Sequence, residues 1–141
     1  MTKRWLTIVG LSLAMLALNA QAAIVVIVNK DNPMDNFSRR DLVDLYMGRN
    51  LYFPDGALAI RLDLPPASAI RESFYQQLVG KSVAEVNAYW ARLLFTGRAS
   101  PPQAMESSIK VIEAVNKNRN AIGYINEEDL VDSVKVVGRV D

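Results

Sequence analysis

The residues of this chain best suited to chemistry lie between Ala59 and Phe74, in the run AIRLDLPPASAIRESF. Ile60, Leu62 and Leu64 alternate with Arg61 and Asp63, which predicts a short strand. Pro65 and Pro66 end it, and Ala67-Ser68-Ala69-Ile70-Arg71 starts a helix that carries Phe74 and Leu78. A strand that turns directly into a helix leaves backbone N–H groups without partners at the positive end of the helix dipole. Such a turn can hold an anion. Ser68 adds a hydroxyl, Ile70 and Arg71 add backbone N–H groups, and the Arg71 side chain adds a planar fork that fits carboxylate or phosphate. The same residues also fit a plain helix cap, because Ser is a favoured N-cap and Pro commonly precedes a helix.

Other chemistries are closed off by composition. The 141 residues include no Cys and no His. That excludes disulfides, Cys–His and Ser–His nucleophile systems and the usual zinc ligand sets. Ser68 has no Lys near it in sequence to act as a base, so no catalytic residue, metal site or cofactor is expected.

The elements that must position Ser68 and Arg71 follow from patterning. Ile24–Val28 is an unbroken β-branched run, the mark of a strand buried on both faces, as in a parallel sheet covered by helices. Ser38 and Asp41 form an approximate capping box for a helix with Leu42, Leu45 and Tyr46 inward and Gly48 as its stop. Pro54-Asp55-Gly56 marks a turn. The helix after Ser68 ends at Gly80, and Ser82 with Glu85 caps the next one. There Val86, Tyr89, Trp90, Leu93 and Leu94 make one apolar stripe up to Gly97, which leaves Arg92 off the stripe. A loop with Pro101-Pro102 follows, then a helix from about Ser107 to Asn116 with Ile112 and Val115 inward. Ala121–Ile125 is a strand in which Gly123 signals a close backbone approach. Asn126 caps a single acidic turn, and Val134–Val140 is the last strand. The order β-α-β-α-α-α-β-β predicts one α/β domain with helices over a mostly parallel sheet. Ligands in such sheets sit where strands hand over to helices.

The N-terminus has the pattern of an export signal. Lys3 and Arg4 precede an apolar run from Trp5 to Leu18, and Ala20-Gln21-Ala22 is a small-residue cleavage pattern. Residues 1–22 are therefore expected to be removed, which leaves 23–141 as one domain in the periplasm with no stable membrane anchor. The 16 basic residues then fall to 14 against 15 acidic ones, a net charge near −1. Nucleic acid is not an expected partner.

With these elements in place, the chain resembles the phosphate ABC-transporter substrate-binding proteins, as a short single-lobe member. The resemblance runs through Ile24–Asn29, Phe37-Ser38-Arg39-Arg40-Asp41-Leu42, Tyr46-Met47-Gly48 and Leu62-Asp63-Leu64-Pro65 with Ser68, Arg71 and Phe74-Tyr75. Its most specific stretch is Tyr89-Trp90-Ala91-Arg92-Leu93-Leu94-Phe95-Thr96-Gly97-Arg98, followed by Pro101-Pro102 and later by Ala121–Ile125. It implies a single lobe like those of type II periplasmic binding proteins.

In that family the strand-to-helix turn carries a Gly-Ser-Gly-Thr-type motif that holds phosphate. Ser68 keeps the serine and Arg71 matches a basic position that often follows. Ala67 and Ala69 stand where glycines would, Ile70 where threonine would, and Leu64 at the upstream basic position. The resemblance thus implies a ligand site at Ser68, Ala69, Ile70, Arg71 and Asp63, with Asp63 either accepting a proton from hydrogen phosphate or repelling the anion. It implies phosphate or another small oxyanion as ligand, and a membrane transporter or second envelope protein as partner. The rival expectation is a ligand-free envelope adaptor built on the same fold.

Overall fold

A computed structural model describes residues 23–140, so the expected signal segment, 1–22, lies outside the described residues. Five strands form one sheet: β1 (Ile24–Asn29), β2 (Ile60–Asp63), β3 (Gln103–Ala104), β4 (Ala121–Asn126) and β5 (Val134–Val140), in the order β3-β2-β4-β1-β5. β2 pairs parallel with both β3 and β4, whereas β1 runs antiparallel to β4 and β5. Four of the five strands therefore share one direction, as a mostly parallel sheet requires, and β1 is the exception. Ile24–Val28 is buried on both faces as expected. That burial comes from its inner place under helices, a place that strand direction does not determine.

The helices are α1 (Arg39–Tyr46), α2 (Ala69–Val79), α3 (Val83–Thr96) and α4 (Ser108–Lys117). Each starts at a serine: Ser38, Ser68, Ser82 and Ser107 accept from the backbone N–H three residues on. Asp41 and Glu85 close full capping boxes. Gly80 and Gly97 end α2 and α3 with φ of +67°, the left-handed geometry that costs other residues most. Asn126 caps a 3-10 turn over Glu127–Asp129, and Glu127 pairs with Arg139.

α4 covers one face of the sheet and α1 with α2 cover the other. Gly123 explains how closely α4 sits: a Cβ there would lie 2.5 Å from Val111 Cγ1. Gly123→Ala is thus expected to push α4 off the sheet and to destabilise the fold by about 1–3 kcal/mol, read by chemical denaturation. On the other face Phe74 stacks on Tyr124, with centroids 3.8 Å apart, and Tyr46 meets both rings edge-on.

Three local expectations change. In β2, Ile60 is exposed while Arg61, Leu62 and Asp63 are all buried, so the strand is covered on both faces and the alternation does not separate inside from outside. Arg61 donates to the Leu45 and Ser100 carbonyls and lies over Trp90, which disposes of its charge inside the domain. In α3 only Val86 and Trp90 are fully buried; Tyr89 and Leu93 are half-buried and Leu94 is exposed. In α4 the inward pair is Val111 and Val115, with Ile112 half-buried.

Candidate functional site

Two strand-to-helix turns open side by side. β2 and β3 are parallel neighbours, with Leu62 opposite Gln103 and Asp63 opposite Ala104. The Met105 N–H bonds to the Asp63 carbonyl at 2.8 Å, so both strands finish at the same level. From β2 the chain runs through Pro65 to Ser68 and α2; from β3 it runs through Glu106 to Ser107 and α4. The two starts enclose a cleft of about 350 Å³ lined by Leu64, Pro65, Ala67, Ser68, Ile70, Glu106, Ser107 and Ser108.

Ser68 sits at the mouth. Its N–H donates to the Pro65 carbonyl at 2.9 Å, and its Oγ accepts from the Arg71 N–H at 3.2 Å. Its hydroxyl proton is free to donate. The N–H groups of Ala69 and Ile70 have no acceptor among the described residues. Ser107 Oγ likewise accepts from the Lys110 N–H at 3.3 Å. The cleft is therefore lined by hydroxyls, by Ile70 with its free N–H, and by the positive ends of two helix dipoles, while Ala69 borders a neighbouring hollow with Ile24, Ser73 and Asn126. Glu106 is its one carboxylate, and no cationic side chain lines it.

Arg71 and Asp63 are placed behind this cleft. The Arg71 N–H is occupied by the Ser68 cap, and its guanidinium turns inward. Nε approaches Asp63 Oδ2 at 3.4 Å, Nη2 donates to Asn87 Oδ1 at 3.1 Å, and the group lies 5.2 Å from the Tyr75 ring centroid. Nη1 is buried without a partner. Asp63, 4% exposed, also accepts from the Tyr75 hydroxyl at 2.6 Å, the Leu64 N–H at 2.8 Å and the Tyr124 hydroxyl. Burial and the Asp63 charge raise the Tyr75 and Tyr124 phenols far above the usual tyrosine range, which keeps both as donors. Of the five residues expected at the site, Ser68, Ala69 and Ile70 stand at the helix start, whereas Arg71 and Asp63 form a buried ion pair beneath it.

Sequence reasoning missed Glu106, Ser107 and Ser108. Ser107 carries a visible cap signal, but nothing in its own segment says which other helix start it faces. That follows from β3, whose two residues are too few to show a period.

No family model matches the chain, and no curated protein matches it. Solved structures do. The fold is similar to a protein described as a phosphate ABC transporter substrate-binding protein with bound phosphate, from Clostridium perfringens. That match has a TM-score of 0.67 and 24% identity, over 82% of this chain and 45% of that one. An ABC-type phosphate transport receptor from Vibrio cholerae matches with a TM-score of 0.65 and 21% identity, over 82% and 46%. PstS from Borrelia burgdorferi matches with a TM-score of 0.63 and 15% identity, over 82% and 46%. The chain thus has a fold found in phosphate-transport receptors and spans less than half the length of each.

Proposed function

We propose that this chain is a periplasmic solute-binding lobe that takes phosphate or a similar small oxyanion reversibly in the cleft between the starts of α2 and α4. The observation that carries this reading is the pair of unpartnered N–H groups, Ala69 and Ile70, beside the Ser68 hydroxyl on a fold shared with phosphate receptors. Ser68 donates its hydroxyl, Ala69 and Ile70 their N–H groups, and the helix dipole supplies the favourable potential. Arg71 and Asp63 hold the turn from below. Glu106 would accept the proton of hydrogen phosphate, which a fully ionised oxyanion such as sulfate cannot supply. Export through the segment 1–22 and release of the anion to a membrane transporter complete the proposal. Binding without turnover fits the site, since the partner of Ser68 Oγ is a backbone N–H, which cannot serve as a base.

Equilibrium dialysis with radiolabelled phosphate tests this reading. Ser68→Ala is expected to weaken phosphate about tenfold, the value of one hydrogen bond to a charged group. Glu106→Gln is expected to narrow the preference for phosphate over sulfate. Phosphate uptake unchanged in Ser68→Ala would remove the α2 start from the site.

A further inference from the structure

Helix α3 carries a second apolar line that the fold leaves uncovered. Ala84, Ala88, Ala91 and Phe95 follow at steps of four, three and four residues, and all four are exposed. Phe95 keeps 95% of its surface in solvent, and Leu94 beside it keeps 55%. Steps of four and three place these residues on the side of the helix away from buried Val86 and Trp90. This spacing is that of the a and d positions of a two-helix seam.

We propose that α3 pairs antiparallel with α3 of a second copy of this chain, about a two-fold axis between positions 88 and 91. The axis sets Phe95 over the second copy's Ala84 and Ala88 against its Ala91, so the one large side chain meets the far small one, twice. This is the reciprocity that a two-fold interface requires. Three alanines in the seam allow an interaxial distance of about 8 Å.

The flanking charges choose both partner and direction. Glu85 and Arg92 lie seven residues apart on one side of the seam, with Asn87 and Leu94 on the other. In an antiparallel pair like flanks meet, which sets Glu85 against the second copy's Arg92 and Arg92 against its Glu85. A parallel pair would set these charges against Asn87 and Leu94 and gain no ion pair. Both are available: Glu85 Oε1 serves the Ser82 cap, which leaves Oε2 free, and the Arg92 side chain has no hydrogen bond or ion pair among the described residues.

One helix face is a small interface, under about 1,000 Å², so the pair should form and dissociate with concentration rather than persist. Its dissociation constant is expected on the order of 10–100 μM. This inference is independent of the anion site, and its assay contains no phosphate.

Sedimentation velocity of the purified protein from about 5 to 500 μM, which spans that range, should show the mean mass rising toward twice the monomer. Phe95→Ala is exposed and should leave the fold intact while weakening association at least tenfold. Arg92→Glu should weaken it similarly, and the double variant Glu85→Lys with Arg92→Glu should restore it. A monomer throughout the range overturns the proposal, whether or not another partner covers the face. Association indifferent to both Phe95→Ala and Arg92→Glu overturns it as well.

Discussion

Asp63→Ala is expected to destabilise the protein by about 3–5 kcal/mol, as loss of one partner of a buried ion pair does. Total stabilities of such domains are only about 5–15 kcal/mol, so a large share of the fold is at stake. The carboxylate accepts from the Tyr75 and Tyr124 hydroxyls and the Leu64 N–H and faces Arg71 Nε. Its removal strands the Tyr75 and Tyr124 hydroxyls, leaves the Leu64 N–H only the Tyr124 hydroxyl at 3.3 Å, and leaves the guanidinium uncompensated, with Nη1 already unpaired. Asp63→Asn keeps an acceptor and the shape but loses the charge, so it should fall between Asp63→Ala and the wild type. Arg71→Met leaves the carboxylate with three neutral donors and should cost less than Asp63→Ala. Urea denaturation of the three variants checks this order, and equal losses would show that Asp63 is not the hub. Because the network supports the turn that carries Ser68, phosphate binding should weaken in Arg71→Met and remain in Arg92→Met.

Raising the pH above about 10 is expected to unfold the protein steeply. Tyr46, Tyr75 and Tyr124 are buried, and desolvation, with Asp63 second, raises each phenol above its ordinary value. In the unfolded chain these groups release protons near pH 10, while the folded chain holds them. The folded state then binds more protons, so stability is fully present below about pH 10 and falls as pH rises beyond it. Each such group removes about 1.4 kcal/mol per further pH unit. Phenolate absorbance from these three tyrosines should therefore appear together with the loss of far-ultraviolet circular dichroism. Tyr75→Phe should make the transition shallower, because one linked proton is gone. Phenolate absorbance from all five tyrosines of the chain with the fold intact would contradict the burial of this cluster.

Much of this architecture is written locally. The serine caps before α1, α2, α3 and α4 and the glycines after α2 and α3 are short-range signals, and each marks its boundary. Gly123 also speaks for itself, since a strand interior tolerates glycine where another element comes close. The rest depends on contacts far along the chain. Direction was hidden in β1, because a β-branched run suits any strand buried on both faces. Arg71 reads as a ligand fork from its place at a helix start, yet its partners Asp63 and Asn87 lie 8 residues before and 16 after it. Tyr124, which completes the hub, lies 61 residues from Asp63. Leu94 extends an apolar stripe on paper, but the domain fully buries α3 only at Val86 and Trp90, with Tyr89 and Leu93 half-buried beside them. The cleft itself needs β3, a two-residue strand that no periodicity can reveal.

The most direct test of the central claim is an amide chemical-shift titration of isotope-labelled protein with phosphate. Saturable shifts are expected at Ala69, Ile70, Ser107 and Ser108, smaller with sulfate and needing about tenfold more phosphate in Ser68→Ala. Shifts confined to other parts of the surface, or none at millimolar phosphate, would contradict an anion site between the starts of α2 and α4.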